Sequence, residues 1–389
     1  MDLSDAALNI MQKEAKRDLI VNLFNGCLVL LMKTHFTNPK PYIMALKDDK
    51  LTRDTKEVAR EIELDVRTVP WREFPRTTLR GVGQVMFQDN MWTGLLFLCG
   101  IFWGAYEEGF PLVAWGALAG VLSSTLAGYI LNLPDQKGAQ GLWGFNGALV
   151  GCAFPTFLGE SWAMWIALVL CAAMSTWVRS GLDNVMGKWG VSSLTFPFVI
   201  STYIFLLAAR YFYGMPPTHL SSPELLTLAS PDVVAQNQEI NMQFGELVKY
   251  WLRGVSQVFL INSWVTGIFF LVALAVSSIR ACIWAAVASA LSLFIALCWG
   301  GPGLQISEGL YGFSAVLTGI ALGATFCNFS WRAGIWCVLG IVATVFVQAA
   351  MNAFFSPMGL PTLTGPFCIT TWFFLFPAYR MFAPKPAAQ

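Results

Sequence analysis

The sequence has little charge. Asp, Glu, Lys and Arg make up only 12% of its 389 residues, whereas 56% of the residues are hydrophobic and the mean hydropathy is +0.58. Soluble domains carry about 25% charged residues, so this composition excludes a soluble protein and predicts a membrane protein. The net charge of only +1 also excludes the strongly basic surface that nucleic acid binding needs. We therefore expect membrane lipid, and no nucleic acid, among its partners.

Histidine is scarce, and the cysteines are not closely spaced along the sequence. The two histidines are His35 and His219, the nine cysteines stand singly without a Cys-x-x-Cys motif, and the tripeptide Asn-Pro-Ala does not occur. These absences count against an ammonia channel with paired pore histidines, against a metal or redox site, and against an aquaporin. The apolar segments also lack paired carboxylates and a nucleophile beside a base, so we expect neither an enzyme nor a cofactor.

The charge that is present is concentrated at the N-terminus. Of the 24 basic and 23 acidic residues, 22 lie in the first 70 positions, and all 16 tryptophans lie at or after Trp71. Because 14 of the 24 Lys and Arg residues lie at or before Arg80, the positive-inside rule predicts that both termini are cytoplasmic. The predicted regions are a charged, partly helical tail at 1–70, a first membrane unit at 71–214, a connecting loop at 215–247, a second membrane unit at 248–382 and a short tail at 383–389.

The two membrane units repeat the same short segments in the same order. Leu-Arg-Gly-Val-Gly-Gln-Val at 79–85 recurs as Leu-Arg-Gly-Val-Ser-Gln-Val at 252–258. Gly-Leu-Trp-Gly-Phe at 141–145 recurs as Gly-Leu-Tyr-Gly-Phe at 309–313. Leu-Thr-Phe-Pro-Phe at 194–198 recurs as Leu-Thr-Gly-Pro-Phe at 363–367. Their offset of 168 to 173 residues predicts a duplicated unit of about 170 residues.

Each unit divides into six hydrophobic elements, of which the fourth is glycine-rich and short. Irregular, glycine-rich backbone at membrane depth must be buried in protein or line a cavity, so we expect a half-length re-entrant helix there. The other five elements of each unit are predicted to span the membrane, and an odd number of spans places the second unit upside down relative to the first. The sequence thus predicts an all-α polytopic membrane protein of ten spans, built from two inverted repeats with a shared pathway between them.

The repeated positions offer amides, hydroxyls and aromatic faces to a solute. A pathway with these groups suits a small neutral polar molecule, because charged residues inside a membrane usually mark ion and proton paths and the charges here lie mostly at the ends of elements. Inverted repeats with broken helices are also typical of ion-coupled secondary transporters, so that class stays open as the alternative. The repeated polar and aromatic positions are Gln84 and Gln257, Thr195 and Thr364, and Phe145 and Phe313.

These repeated blocks closely resemble the urea transporter family, and the sequence is similar to a bacterial-type member with an extra charged N-terminal tail. The resemblance implies passive, channel-like diffusion of urea and close amide analogues across the inner cell membrane, through a separate pore in each subunit of a homotrimer. It implies that Gln84 and Gln257 face ladders of oxygen atoms and that Thr195 and Thr364 form the narrow middle. The slot walls that it implies are Phe87, Phe145, Leu149, Val258, Leu260, Phe313 and Leu317.

The two copies differ at two positions of the implied slot. Leu260 stands in the second copy where the first has Phe87, and Ser314 stands where the first has Asn146. We therefore expect one end of the slot to be less aromatic than the other.

Overall fold

The computed structural model describes residues 69–131, 133, 136–222 and 240–381, and all regular secondary structure in this part of the chain is helical. The predictions for most of the N-terminal tail and for residues 383–389 lie outside the described residues. The α-helices are α1 Phe74–Gln84, α2 Met91–Glu107, α3 Leu112–Ile130, α4 Phe145–Phe157, α5 Trp162–Met186, α6 Phe196–Ala209, α7 Phe244–Ser256, α8 Trp264–Ser277, α9 Ile279–Cys298, α10 Gly303–Ser307, α11 Gly312–Ile320, α12 Trp331–Phe355 and α13 Gly365–Met381.

Several of these helices are long and apolar enough to cross a membrane. Among the described residues, α3, α9, α5 with its following turn and α12 with its following turn meet the length and hydropathy of a span. The segments Phe244–Phe259 and Trp264–Ser277 meet them only as a pair, with a bend of 71° between them. Helices α4, α6, α11 and α13 are apolar but shorter than the roughly 20 residues of a complete span. The chain is therefore a multi-helix membrane protein, and the count of ten spans stays a prediction.

The two copies contact each other reciprocally through α2 and α8. The Thr93 hydroxyl donates to the carbonyl of Ala273 at 2.9 Å, and the Thr266 hydroxyl donates to the carbonyl of Gly100 at 2.8 Å. Thr266 and Ala273 are the repeat equivalents of Thr93 and Gly100, both at an offset of 173. The start of each helix thus contacts the later part of the other, so α2 and α8 run in opposite directions along their contact.

In a second reciprocal contact, each of α6 and α13 contacts the segment that precedes the other helix. The Tyr203 hydroxyl donates to the carbonyl of Pro361 at 2.9 Å, and the Trp372 indole donates to the carbonyl of Ser192 at 3.0 Å. These four residues are again two repeat-equivalent pairs, at an offset of 169. Reciprocal contacts of this kind, in which i contacts j and the equivalent of j contacts the equivalent of i, are what a two-fold relation between two units produces.

The glycine-rich fourth element of each copy is a short, buried helix. Helix α4 has 13 residues and α11 has nine, with a π-helical turn at Ala321–Thr325 after it. At 1.5 Å per residue α4 is about 20 Å long, less than the roughly 30 Å of a bilayer core. Every residue of α11, and every residue of α4 as far as Pro155, is buried. The half length and the burial agree with the sequence prediction.

Glycine allows the first helix of each copy to pass close to the half-length helix. A Cβ atom on Gly81 would lie 3.0 Å from the Cα of Gly144, and one on Gly254 would lie 3.1 Å from the Cα of Gly312. These are tighter than ordinary van der Waals contacts, so a side chain at either crossing would force the helices apart. Small residues at helix crossings are the usual way in which membrane helices pack closely.

Candidate functional site

The Leu-Thr-x-Pro-Phe segments bring two strained leucines to the starts of α6 and α13. Leu194 has φ +54° and Leu363 has φ +48°, in the left-handed region that residues with a Cβ atom rarely occupy. Such a conformation costs roughly 1–2 kcal/mol and is found mainly at functional sites. Each leucine is followed by a threonine that precedes the helix, so the strained backbone fixes where Thr195 and Thr364 point.

Thr195 and Thr364 contact each other at the centre of the protein. Their Oγ1 atoms are 2.6 Å apart, and the two residues are only 2% and 3% exposed. The thiol of Cys368 lies 3.3 Å from the Thr195 hydroxyl. Because no solute fits between two oxygen atoms at hydrogen-bond distance, any path at this level runs beside the threonine pair.

The two copies hold these segments with different chemistry. In the first copy the Asp183 carboxylate accepts the backbone N–H of Ser193 at 2.8 Å and pairs with the buried Arg179 at 2.7 Å. In the second copy the Gln348 side chain donates to the Thr362 hydroxyl at 2.8 Å. A charged pair therefore fixes the segment before Thr195, whereas a neutral amide fixes the segment before Thr364.

The repeated glutamines make equivalent hydrogen bonds in the two copies. Gln84 donates through Nε2 to the carbonyl of Gln140 at 2.9 Å, and Gln257 donates through Nε2 to the carbonyl of Glu308 at 3.0 Å. Both carbonyls lie shortly before a half-length helix. Because each bond uses the Nε2 donor, the Oε1 acceptor of the same amide is the atom that can bind an N–H group of a solute.

Charged groups cluster beside the glutamine of the second copy. Burial raises the pKa of the Glu108 carboxyl to about 7, against the opposing effect of a hydrogen bond from the Asn262 backbone and the charge of Arg253. The neighbouring charges of Glu107 and Glu308 raise the pKa of the Glu108 carboxyl further, and burial also raises the pKa of Glu308. This acidic cluster lies at the C-terminal ends of α2 and α10, where Glu107 is the last residue of α2 and Glu108 and Glu308 are the capping residues.

The predicted wall residues Phe87 and Leu260 are also in the left-handed region, with φ +62° and +56°. The ring of Phe87 lies 5.6 Å from that of Phe326 and 6.0 Å from that of Phe367, between ring centroids. Leu260 lies in a cavity wall together with Phe198, the repeat equivalent of Phe367. Phe87 of the first copy therefore packs against two phenylalanines of the second copy, whereas its counterpart Leu260 lines the cavity together with Phe157, Phe198 and Phe313.

The other five predicted wall residues are buried. Phe145 and Phe313 stand at the first turns of α4 and α11, and Leu149 and Leu317 follow one turn later on the same helices. Val258 follows Gln257 in the turn after α7. All five belong to one hydrophobic core, so their role as pore walls stays a prediction.

An open cavity of about 380 Å³ lies on the side of the second copy. No Asp, Glu, Lys or Arg is among the described residues that line it. The predicted site residues that line the cavity are Gln257, Val258, Leu260, Phe313 and Thr364. The predicted site residues that lie outside its wall are Gln84, Phe87, Phe145, Leu149, Thr195 and Leu317. A wall of amide, hydroxyl and apolar groups with the imidazole of His219, and without Asp, Glu, Lys or Arg among its described residues, suits a neutral polar solute.

Comparison with known proteins identifies the family. The model of the urea transporter family matches residues 76–379. The chain belongs to the urea transporter family. It is 30% identical over 331 residues to urea transporter 1 of Ovis aries and to that of Capra hircus, covering 84% of this chain and 82% of each relative. It is also 30% identical over 312 residues to urea transporter 1 of Mus musculus, covering 78% of this chain and 77% of the relative. The resemblance noted in the repeated blocks is thereby confirmed.

In this urea transporter family member the structure adds contacts around the site that the repeated segments did not predict. Cys368 contacts Thr195, and Asn146 accepts the backbone N–H of Phe198 at 3.1 Å, which satisfies a free donor at the start of α6. The further polar residues of the cavity wall are His219, Ser221, Ser222, Gln305, Gln348, Asn352, Ser356 and Thr362. Gln348 could have been found from the sequence, because a glutamine within the apolar helix α12 needs a polar partner or a cavity beside it.

Proposed function

We propose that the protein mediates passive, channel-like diffusion of urea across a membrane, through a slot between its two copies. The observation that carries this proposal is the cavity without described Asp, Glu, Lys or Arg, which reaches Thr364 and its hydrogen-bonded partner Thr195, in a chain of the urea transporter family. Urea is flat, neutral and rich in N–H groups, so oxygen acceptors beside apolar walls suit it. Relatives named urea transporter 1 support the same solute.

The site residues divide into three roles in this proposal. Gln84 and Gln257 present Oε1 to urea N–H groups at the two ends of the slot, because their Nε2 atoms are bonded to the backbone. Thr195 and Thr364 supply hydroxyl oxygens at the narrow middle. The walls on either side are formed by Phe87, Phe145, Leu149, Val258, Leu260, Phe313 and Leu317.

The proposed architecture is ten spans in two inverted repeats. The reciprocal contacts of Thr93 and Thr266 and the opposite directions of α2 and α8 support an inverted relation between the copies. The short helices α1, α6 and α13 then each count as one span, and α7 and α8 count as two separate spans. The concentration of Lys and Arg residues at or before Arg80 supports cytoplasmic termini in an inner cell membrane.

We extend the proposal to a homotrimer in which each subunit has its own slot. Large apolar side chains are exposed on the outer faces of several helices, including Trp103, Ile166 and Phe294, so these faces need lipid or another subunit beside them. Crosslinking in native membranes followed by mass measurement tests the subunit number. A species of three subunits supports the proposal, and monomers at every crosslinker concentration contradict the trimer.

The ion-coupled alternative gains no support from the cavity, because the described residues of its wall include no acidic or basic residue other than His219.

The experiment that tests the proposed function is urea efflux from proteoliposomes, followed by stopped-flow light scattering. The wild-type protein should release urea much faster than protein-free liposomes, and Thr195→Trp should abolish the difference. Equal rates for wild-type and protein-free liposomes would contradict the proposed function.

A further inference from the structure

Four polar side chains form a connected cluster in the cavity wall of the second copy. Gln348 and Asn352 lie one turn apart on α12, Gln305 lies on α10, and Thr362 precedes the strained Leu363. Gln348 Nε2 donates to Thr362 Oγ1 at 2.8 Å and to Asn352 Oδ1 at 3.3 Å, and Asn352 Nδ2 donates to Gln305 Oε1 at 3.2 Å. All four residues line the cavity of about 380 Å³.

One amide atom of Gln348 has no hydrogen-bond partner among the described residues. Gln348 is 3% exposed, and its Oε1 is the unpartnered atom. Thr362 and Asn352 both contact the other amide atom, so one atom of this amide stays unpartnered whichever way the amide is turned. A buried polar group without a partner is costly, and the cost is removed when a bound molecule supplies the missing hydrogen bond.

The first copy has no equivalent cluster. The repeat equivalents of Gln348, Asn352, Gln305 and Thr362 are Ser180, Asn184, Lys137 and Ser193. Only the asparagine is shared, and Asn184 is exposed on the surface. The cluster is therefore specific to the second copy and is not a consequence of the duplication.

We propose that the Gln305, Gln348, Asn352 and Thr362 cluster is a capture site for urea at the mouth of the second copy. This inference rests on the proposed function. Gln348 supplies the unpartnered amide atom, and the partly exposed Gln305 and Asn352 supply further amide groups to a solute in the cavity. Side-chain amides match the donors and the carbonyl acceptor of urea without attracting ions. From this site urea moves on to Gln257 and Thr364, which line the same cavity.

The test measures urea entry into proteoliposomes as a function of urea concentration for wild type, Gln348→Met, Asn352→Leu and the control Asn184→Leu. Loss of one hydrogen bond of typical strength predicts a half-saturation concentration about fivefold higher in Gln348→Met and Asn352→Leu, with the maximal rate and the melting temperature unchanged in Asn352→Leu. Gln348→Met also removes the bond to Thr362, so its melting temperature should fall as well. Asn184→Leu, the repeat equivalent of Asn352→Leu, should behave as wild type. Thiourea entry should change less than urea entry, because its sulfur atom accepts hydrogen bonds weakly.

Two results would overturn the capture site. One is an unchanged half-saturation concentration in both folded variants. The other is a lower maximal rate and a lower melting temperature with an unchanged half-saturation concentration, because the cluster would then only hold the segment before Thr364. Failure of the proposed function gives a different result, since the wild-type protein itself would then not accelerate urea entry.

Discussion

Thr195 and Thr364 are repeat-equivalent residues whose side-chain hydroxyls are hydrogen-bonded to each other, with 2.6 Å between the two oxygen atoms. A residue in contact with its own repeat equivalent lies on the axis that relates the two copies. In the proposed two-fold arrangement of the copies, the shared axis passes through the threonine pair. In the proposed function urea passes beside this pair, and the two hydroxyls act as one polar step in an otherwise apolar section.

The double variant Thr195→Val/Thr364→Val tests this polar step. Valine keeps the shape of threonine. Because both partners of the hydrogen bond are removed together, no hydroxyl of the pair is left without its partner, and the melting temperature should change little. Urea permeability should fall about tenfold, because about 1.4 kcal/mol on the barrier is a factor of ten. Thr364→Trp should block urea completely. Normal conduction by the valine variant, together with urea passage through the tryptophan variant, would place the constriction elsewhere.

Gln84→Leu and Gln257→Leu test the acceptors at the two ends of the slot. Each change removes an oxygen that replaces water around urea, so permeability should fall about tenfold or more in a folded protein. Gln88→Ile is the matched control, because Gln88 bonds only to the nearby carbonyl of Met86 and the second copy has Ile261 at this position. Wild-type permeability in the double leucine variant would show that the glutamines only join helices.

The partly buried Glu108 predicts a pH dependence of stability. Burial raises the pKa of this carboxyl from 4.5 to about 7, so the folded protein holds a proton that the unfolded chain has already released between these pH values. Stability from this group is therefore present at acidic pH and is lost as the pH rises toward 7. The melting temperature in detergent should fall across this range in wild type and in the control Glu160→Gln, and it should fall less in Glu108→Gln. An identical slope in all three proteins would contradict the assignment to Glu108.

The repeated segments predicted the main pairings of the site. Recurrence alone paired Gln84 with Gln257 and Thr195 with Thr364, and the structure gives the first pair equivalent hydrogen bonds and the second a direct contact. The half-length α4 was also predictable, because its glycines and the polar Asn146 in its first turn suit only a buried helix. Because the same pattern occurs twice, the sequence alone shows which positions of the two copies correspond. The pairings could therefore be predicted.

The contacts that differ between the two copies could not be predicted from the repeated segments. The role of Asp183 in holding Ser193, and of Gln348 in holding Thr362, depends on tertiary contacts that no repeated pattern encodes. The left-handed backbone of Leu194 was equally hidden, because leucine rarely adopts this conformation and only the surrounding packing imposes it. The number of spans also resists prediction from length, because the short helices at the centre are broken and buried.

Passive transport is the central claim, and urea accumulation tests it most directly. Proteoliposomes with an imposed proton gradient or sodium gradient are incubated with labelled urea until uptake is complete, and Thr195→Trp proteoliposomes report the leak through the lipid. We predict that internal urea reaches the external concentration and stops there, with the same rate before and after either gradient is collapsed. Internal urea that rises above the external concentration, and falls when the gradient is removed, would contradict the channel and favour ion-coupled transport.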